Sequence, residues 1–200
     1  MNVVARPTRH QKRTEHTRGR LLDAALEVFL EQGYELASIG AITERADLGA
    51  GTYYLHFRDK RGLYEALVRR MLLALGARWR AERVARGVSG AAAAAELSLM
   101  VEMVLESLLE NRKVAKLVLL EGPALETWLV EEIGREVAQV LKDRVTQPEI
   151  AATLVIGATL NAARWAVAQE RTVSMKRLVA SAVAFCASGT AAMNVRRKKE

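Results

Sequence analysis

Two short apolar-periodic segments on either side of a three-residue turn constrain this chain more than any other part of it. The first is Ser38-Ile-Gly-Ala-Ile-Thr-Glu-Arg-Ala46, with Ser38 placed to cap a helix and Ile39, Ile42 and Ala46 on one face. The turn is Asp47-Leu48-Gly49, and the second segment runs from near Ala50 to near Phe57. Two short helices across such a turn form a helix-turn-helix, whose second helix enters the major groove of DNA. The side chains there suit that task. Thr52 falls in the first turn, and Tyr54 and His56 offer polar tips that bond phosphate oxygens, while Leu55 and Phe57 are expected to pack inward. A plain helical hairpin with amphipathic surface tyrosines satisfies the same periodicity.

A wider pattern separates the two readings. Gly33-Tyr34-Glu35-Leu-Ala-Ser38-Ile39, Ala41-Ile42, Ala46 and Gly51-Thr52-Tyr53-Tyr54-Leu55-His56-Phe57-Arg-Asp-Lys60 resemble the DNA-binding signature of the TetR family of bacterial transcriptional regulators. The resemblance covers about the first third of the chain. It implies an interface with operator DNA formed by Ala50, Thr52, Tyr53, Tyr54, His56 and Lys60, with Ser38 and Thr17 near the backbone. Asp47 and Gly49 stand where the family usually has a glycine and a serine or threonine. Aspartate tolerates the left-handed conformation and glycine is acceptable at an N-cap, so the turn is expected to survive. Ala50, a position often polar in relatives, removes one base reader.

Composition favours an all-α chain: apolar residues are 50%, aromatics 5%, and there are 3 prolines among 200 residues. The richest late apolar stretch, residues 150–163, reads as too short for a membrane span and is followed by Arg164. With no apolar core of a signal peptide at the N-terminus, the expected location is cytoplasmic. The single cysteine, Cys186, lies in an apolar helical setting and reads as a buried thiol. His10, His16 and His56 lack metal-ligand spacing, so neither a metal nor a cofactor is expected. Net charge is +7, and it is uneven: Arg6, Arg9, Lys12, Arg13, Arg18 and Arg20 stand against Glu15 alone in the first twenty residues. Such an arm beside a helix-turn-helix suits contact with DNA backbone or minor groove.

Along the chain, residues 1–16 read as a flexible basic arm and 17–62 as the DNA-binding domain, with Thr17 as N-cap of a first helix that Gly33 stops. Residues 63–194 read as a helical effector-binding and dimerisation domain, and 195–200 as a basic tail. Asp59 is placed to cap a long helix that reaches about Ala85, roughly 40 Å at 1.5 Å per residue. Pro148 fits the first turn of a helix to about Gln169, and Ser174 the start of a final one.

These last two helices resemble the pair with which TetR-like proteins form a four-helix dimer interface. Its candidates here are Ala151, Leu154, Ala158, Ala162, Leu178, Ala182, Phe185 and Cys186, although two apolar helices also suit a monomer core. Candidate walls of an effector pocket are Met100, Met103, Trp128, Asn161, Arg164 and Trp165. Arg164 has three readings: a ligand anion, a partner such as Glu121 or Glu170, or solvent. The leading function is a homodimeric repressor released from a palindromic operator by a small apolar or amphipathic effector. A nonspecific DNA-binding or scaffolding module is the alternative. An enzyme is disfavoured, because no nucleophile–base pair or phosphate loop occurs; Gly49-Ala-Gly51 lacks the third glycine and the preceding strand of a dinucleotide site.

Overall fold

The computed structural model describes residues 8–88, 93–122, 126–142, 144–169 and 174–193, and among them no strand is present. The chain divides into two compact units, Met1–Met71 and Leu72–Glu200. The expected basic tail, and the arm up to residue 7, lie outside the described residues.

The first unit contains α1 (Arg9–Leu36), α2 (Ile39–Arg45), α3 (Ala50–Tyr54) and the beginning of α4 (Lys60–Ala85). The start of α1 corrects the sequence reading. Its N-cap is Thr8, not Thr17, and the cap is a reciprocal box: Thr8 Oγ1 accepts from Gln11 N–H at 3.2 Å, and Gln11 Oε1 accepts from Thr8 N–H at 2.7 Å. Residues 9–16 therefore form helix and not a flexible arm. Thr17 sits inside that helix, half-buried. Gly33 breaks it as expected, at φ 77° and ψ 160°, a conformation that side-chain-bearing residues rarely adopt.

The core of this unit is built on Leu21, Leu22, Ala25, Val28 and Phe29 of α1, which are shut off from solvent together with Ile42, Tyr53, Leu63, Tyr64 and Leu67. Three rings meet at its centre. Tyr34 and Tyr64 lie edge to face at 5.1 Å between centroids, and Phe29 lies 5.4 Å from Tyr34 and 5.9 Å from Tyr64.

The second unit holds the rest of α4 and α5 (Ala93–Glu110), α6 (Arg112–Lys116), α7 (Glu126–Leu141), α8 (Pro148–Ala168) and α9 (Met175–Ala192). Asn111 Oδ1 accepts from Val114 N–H at 3.3 Å and starts α6, which runs on into a π-helical turn over Leu117–Glu121. Helix α5 packs on α9 and α7 on α8, around Leu97, Val101, Leu105, Leu141, Ala163 and Trp79. Among the described residues, one charged group lies fully buried in this apolar interior. The Glu96 carboxylate is wholly buried, and Arg83 at 2.5 Å and Arg144 at 3.0 Å pair with it. Helix α8 is longer than the apolar stretch read from sequence: at 21 residues it is long and apolar enough to cross a membrane by length and composition, yet much of it is buried in this unit's core.

Candidate nucleic-acid interface

The helix-turn-helix is assembled from local caps. Ser38 Oγ accepts from Ala41 N–H at 3.0 Å and starts α2, so this hydroxyl is spent on the helix. Asp47 takes φ 51°, the left-handed conformation expected of it. From α1, Arg20 donates to the carbonyls of Ala46 at 2.6 Å and Asp47 at 3.3 Å, closing the α2 end. Helix α3 starts at Gly49 without a side-chain cap. Its helical part ends at Tyr54, three residues before the expected end, and Phe57 N–H donates to Tyr53 O at 2.9 Å as the chain turns away.

The two adjacent tyrosines have opposite fates. Tyr54 is 60% exposed, whereas Tyr53 is fully buried, and its hydroxyl donates to Asp59 O at 2.8 Å. Burial, with the Asp59 charge added, pushes the Tyr53 phenol well above the ordinary tyrosine range. Tyr53 is thus a core residue and leaves the set of DNA-facing candidates. Leu55 is 83% exposed and Phe57 is buried, so of the two expected to pack inward only Phe57 does, under the Arg18 guanidinium 5.0 Å from its ring centroid. The outward group is Ala50 and Tyr54, exposed, with Thr52 and His56 half-exposed.

Lys60 departs furthest from expectation. Its ammonium donates to Tyr34 O at 2.7 Å, Glu35 O at 3.0 Å and Ala37 O at 3.0 Å, and lies 4.5 Å from the centroid of the Tyr34 ring. These are carbonyls at the end of α1, where the break at Gly33 leaves acceptors without helical partners. Amino-terminal to the core, Arg9, His10, Lys12, Arg13 and His16 are all exposed on the first turns of α1.

The effector candidates of the second unit do not converge. Met100 and Met103 are buried in the core, whereas Trp165 is 53% exposed and Asn161 is also exposed. At helical spacing, Asn161 and Trp165 continue an outer stripe of α8 that includes Ile150, 52% exposed, and Leu154, 61% exposed. Arg164 Nε donates to Leu119 O, inside the π-helical turn, at 3.1 Å. The side chain of Trp128 lies outside the described residues.

Of the expected interface residues, Leu154 and Phe185 are exposed, and Ala158, Ala162, Leu178 and Ala182 are intermediate. Ala151 and Cys186 are buried within the protomer and leave that set. Burial raises the Cys186 thiol pKa, with a smaller opposing effect from Thr159. Between α8 and α9 runs an apolar groove lined by Leu154, Gly157, Ala158, Phe185 and Gly189. Sequence reasoning placed Arg20 in the basic arm and missed its bonds to the α2 end, and it missed Glu96 altogether. The partners of Arg20 lie 26 and 27 residues away, so no local spacing signals them.

Among the described residues no cluster of His, Cys, Asp and Glu could hold a metal ion. Residues 21–67 match the model of the bacterial regulatory proteins of the tetR family. The transcriptional regulator UidR of Escherichia coli is 40% identical over 58 residues, 29% of this chain and 30% of that protein. The aligned segment thus spans about a third of the curated relatives it matches. Solved structures extend the likeness in fold to nearly the whole chain at 20% identity. The regulator FadR from Bacillus subtilis, in complex with stearoyl-CoA, aligns with a TM-score of 0.67 over 86% of this chain and 98% of its own. RolR in complex with resorcinol aligns with a TM-score of 0.67 over 94% and 98%. The N-terminal unit of this chain thus carries the DNA-binding region of the bacterial regulatory proteins of the tetR family.

Proposed function

We propose that the protein is a homodimeric transcriptional repressor that binds a palindromic operator and is released from it by a small molecule. The observation that carries the DNA-binding part is the outward group Thr52, Tyr54 and His56, on and just after α3, next to an α2 capped at its start by Ser38 and closed at its end by Arg20. Hydroxyl and imidazole tips set phosphate register, and Thr52 is short enough to reach a base edge. Ala50 contributes a methyl surface, and the basic turns of α1 add attraction independent of sequence.

Dimerisation is supported by the outer face of α8 and α9, where Leu154 and Phe185 border a groove of small residues. A second copy of this face is the occupant we favour, since a two-fold protein matches a palindrome with half-sites one or more helical turns apart. Relatives of like fold hold stearoyl-CoA and resorcinol. By analogy the second unit takes an apolar or amphipathic effector, and α4, which carries residues of both units, transmits its binding. Arg164 already donates to Leu119 O, which weakens the case for it as the anchor of a ligand anion.

Selection of bound fragments from genomic DNA, followed by footprinting, tests this reading. A symmetric site protected at nanomolar protein, with two chains per site, is the expected result. Uniform affinity for all fragments with a steep salt dependence would instead mark a nonspecific DNA-binding module.

A further inference from the structure

We propose that Lys60 is a positioning residue for DNA recognition: it locks the recognition helix to the end of α1 and does not bind phosphate. A lysine ammonium has three N–H donors and no acceptor. Three carbonyl oxygens lie at hydrogen-bonding distance from it, Tyr34 at 2.7 Å and Glu35 and Ala37 at 3.0 Å, and the Tyr34 ring lies alongside. A phosphate oxygen could gain this cation only by drawing it off acceptors that no helix satisfies.

The residues around Lys60 give the lock its purpose. Asp59 Oδ1 accepts from Gly62 N–H at 2.7 Å and so caps α4, while the Asp59 carbonyl accepts from the Tyr53 hydroxyl at 2.8 Å. Tyr53 belongs to α3, and Ala37 precedes Ser38, the cap of α2. Two adjacent residues, Asp59 and Lys60, therefore hold α3 through the Asp59 carbonyl and the α1–α2 junction through the Lys60 ammonium. The spacing between α2 and α3 follows from these bonds together with the apolar contacts of Tyr53 and Phe57.

The proposal rests on the DNA-binding reading, and the experiment separates the two. Operator affinity is measured across a range of salt concentrations for the wild type, Lys60→Met and Tyr53→Phe. Methionine keeps an apolar stem on Tyr34 and removes the donors. Both variants are expected to lose about tenfold or more in affinity while the slope of log affinity against log salt stays at the wild-type value. A slope lowered by about one unit in Lys60→Met would show a phosphate contact and overturn the proposal.

A second measurement needs no DNA and covers variants that fail to fold. Wild-type protein is treated with acetic anhydride, and the reaction of each lysine is followed by mass spectrometry. Lys60 is expected to react several-fold more slowly than the exposed Lys12; equal rates would overturn the lock. Wild-type protein that binds no DNA fragment, with Lys60 still protected, would sink the DNA-binding reading and leave the lock standing as a structural device.

Discussion

The guanidinium of Arg20 lies 2.6 Å from the carbonyl oxygen of Ala46, so a residue of α1 completes the C-terminus of α2. Lys60 does the same for α1, and Arg112 for α8, where it donates to Val167 O at 2.8 Å and to Gln169 O. A cation at a helix C-terminus satisfies carbonyls that have no helical partner and opposes the negative end of the helix dipole. In this chain the cation comes each time from another element, so the same bond fixes one helix against another.

Tyr54→Phe and His56→Ala should each weaken operator binding across all sequences tested, because both side chains are assigned to phosphates. Thr52→Ala should in addition change base preference, by about 1–3 kcal/mol at one position if a good base contact is lost. Electrophoretic titration against the selected operator and single-base variants provides the readout. Unchanged affinity in all three variants would remove α3 from the interface.

Leu154→Glu and Phe185→Glu should convert a dimer into monomer or aggregate, because interfaces of this kind resemble a core and exclude charge. Both residues are exposed in the protomer, at 61% and 72%, so neither change disturbs its interior. Light scattering at micromolar concentration should give two chains for the wild type and one for the variants. A wild-type monomer would refute the assigned face.

Glu96→Gln should destabilise the second unit by about 1.5–3 kcal/mol, since it removes the charge that the partly exposed Arg83 and Arg144 pair with. The carboxylate is wholly buried between Arg83 and Arg144. Thermal unfolding followed by circular dichroism would show a clear drop in midpoint. A shift no larger than that of a surface substitution would mean the charges rearrange at no cost.

Alkaline pH should unfold the first unit together with ionisation of its tyrosines. Burial, the largest cause in each case, raises the phenol pKa of Tyr34, Tyr53 and Tyr64 above the ordinary value of 10.0. A raised folded-state pKa gives stability that is complete below the unfolded value and is lost as pH rises past it toward the folded one. The phenolate absorbance of these three tyrosines and the helicity should therefore change together, above about pH 10. Ionisation of all three tyrosines near pH 10 with helicity intact would contradict their burial.

The features legible in the sequence are those decided by neighbours along the chain. Ser38 capping α2, Asp47 in the left-handed turn, Gly33 breaking α1 and Pro148 opening α8 all follow from bonds or angles within a few residues. The start of α1 was also local, because Thr8 and Gln11 spell a capping box, but the absence of apolar periodicity in residues 9–16 concealed it. The inward position of Tyr53 and the outward one of Leu55 were not legible, since five helical residues are too few to fix the phase of a face. On α8 small apolar residues line both the core and the outer face, so periodicity alone did not place Asn161 and Trp165 outside. Lys60 could not be read at all as a cap: its three acceptors lie 23 to 26 residues earlier, and its charge invited a phosphate.

The capping box at Thr8 also bears on the heat of binding. A basic arm that orders only on meeting DNA gives up about 1–2 kcal/mol of backbone entropy per residue, which offsets much of what its contacts gain. Here Arg9, Lys12 and Arg13 already stand on formed helix, so only their side chains lose freedom when phosphates approach. Calorimetry of the operator complex should consequently lack the large negative heat-capacity change of coupled folding in this segment. Residues 9–16 are a formed charged helix, so their reach toward DNA is set in the free protein.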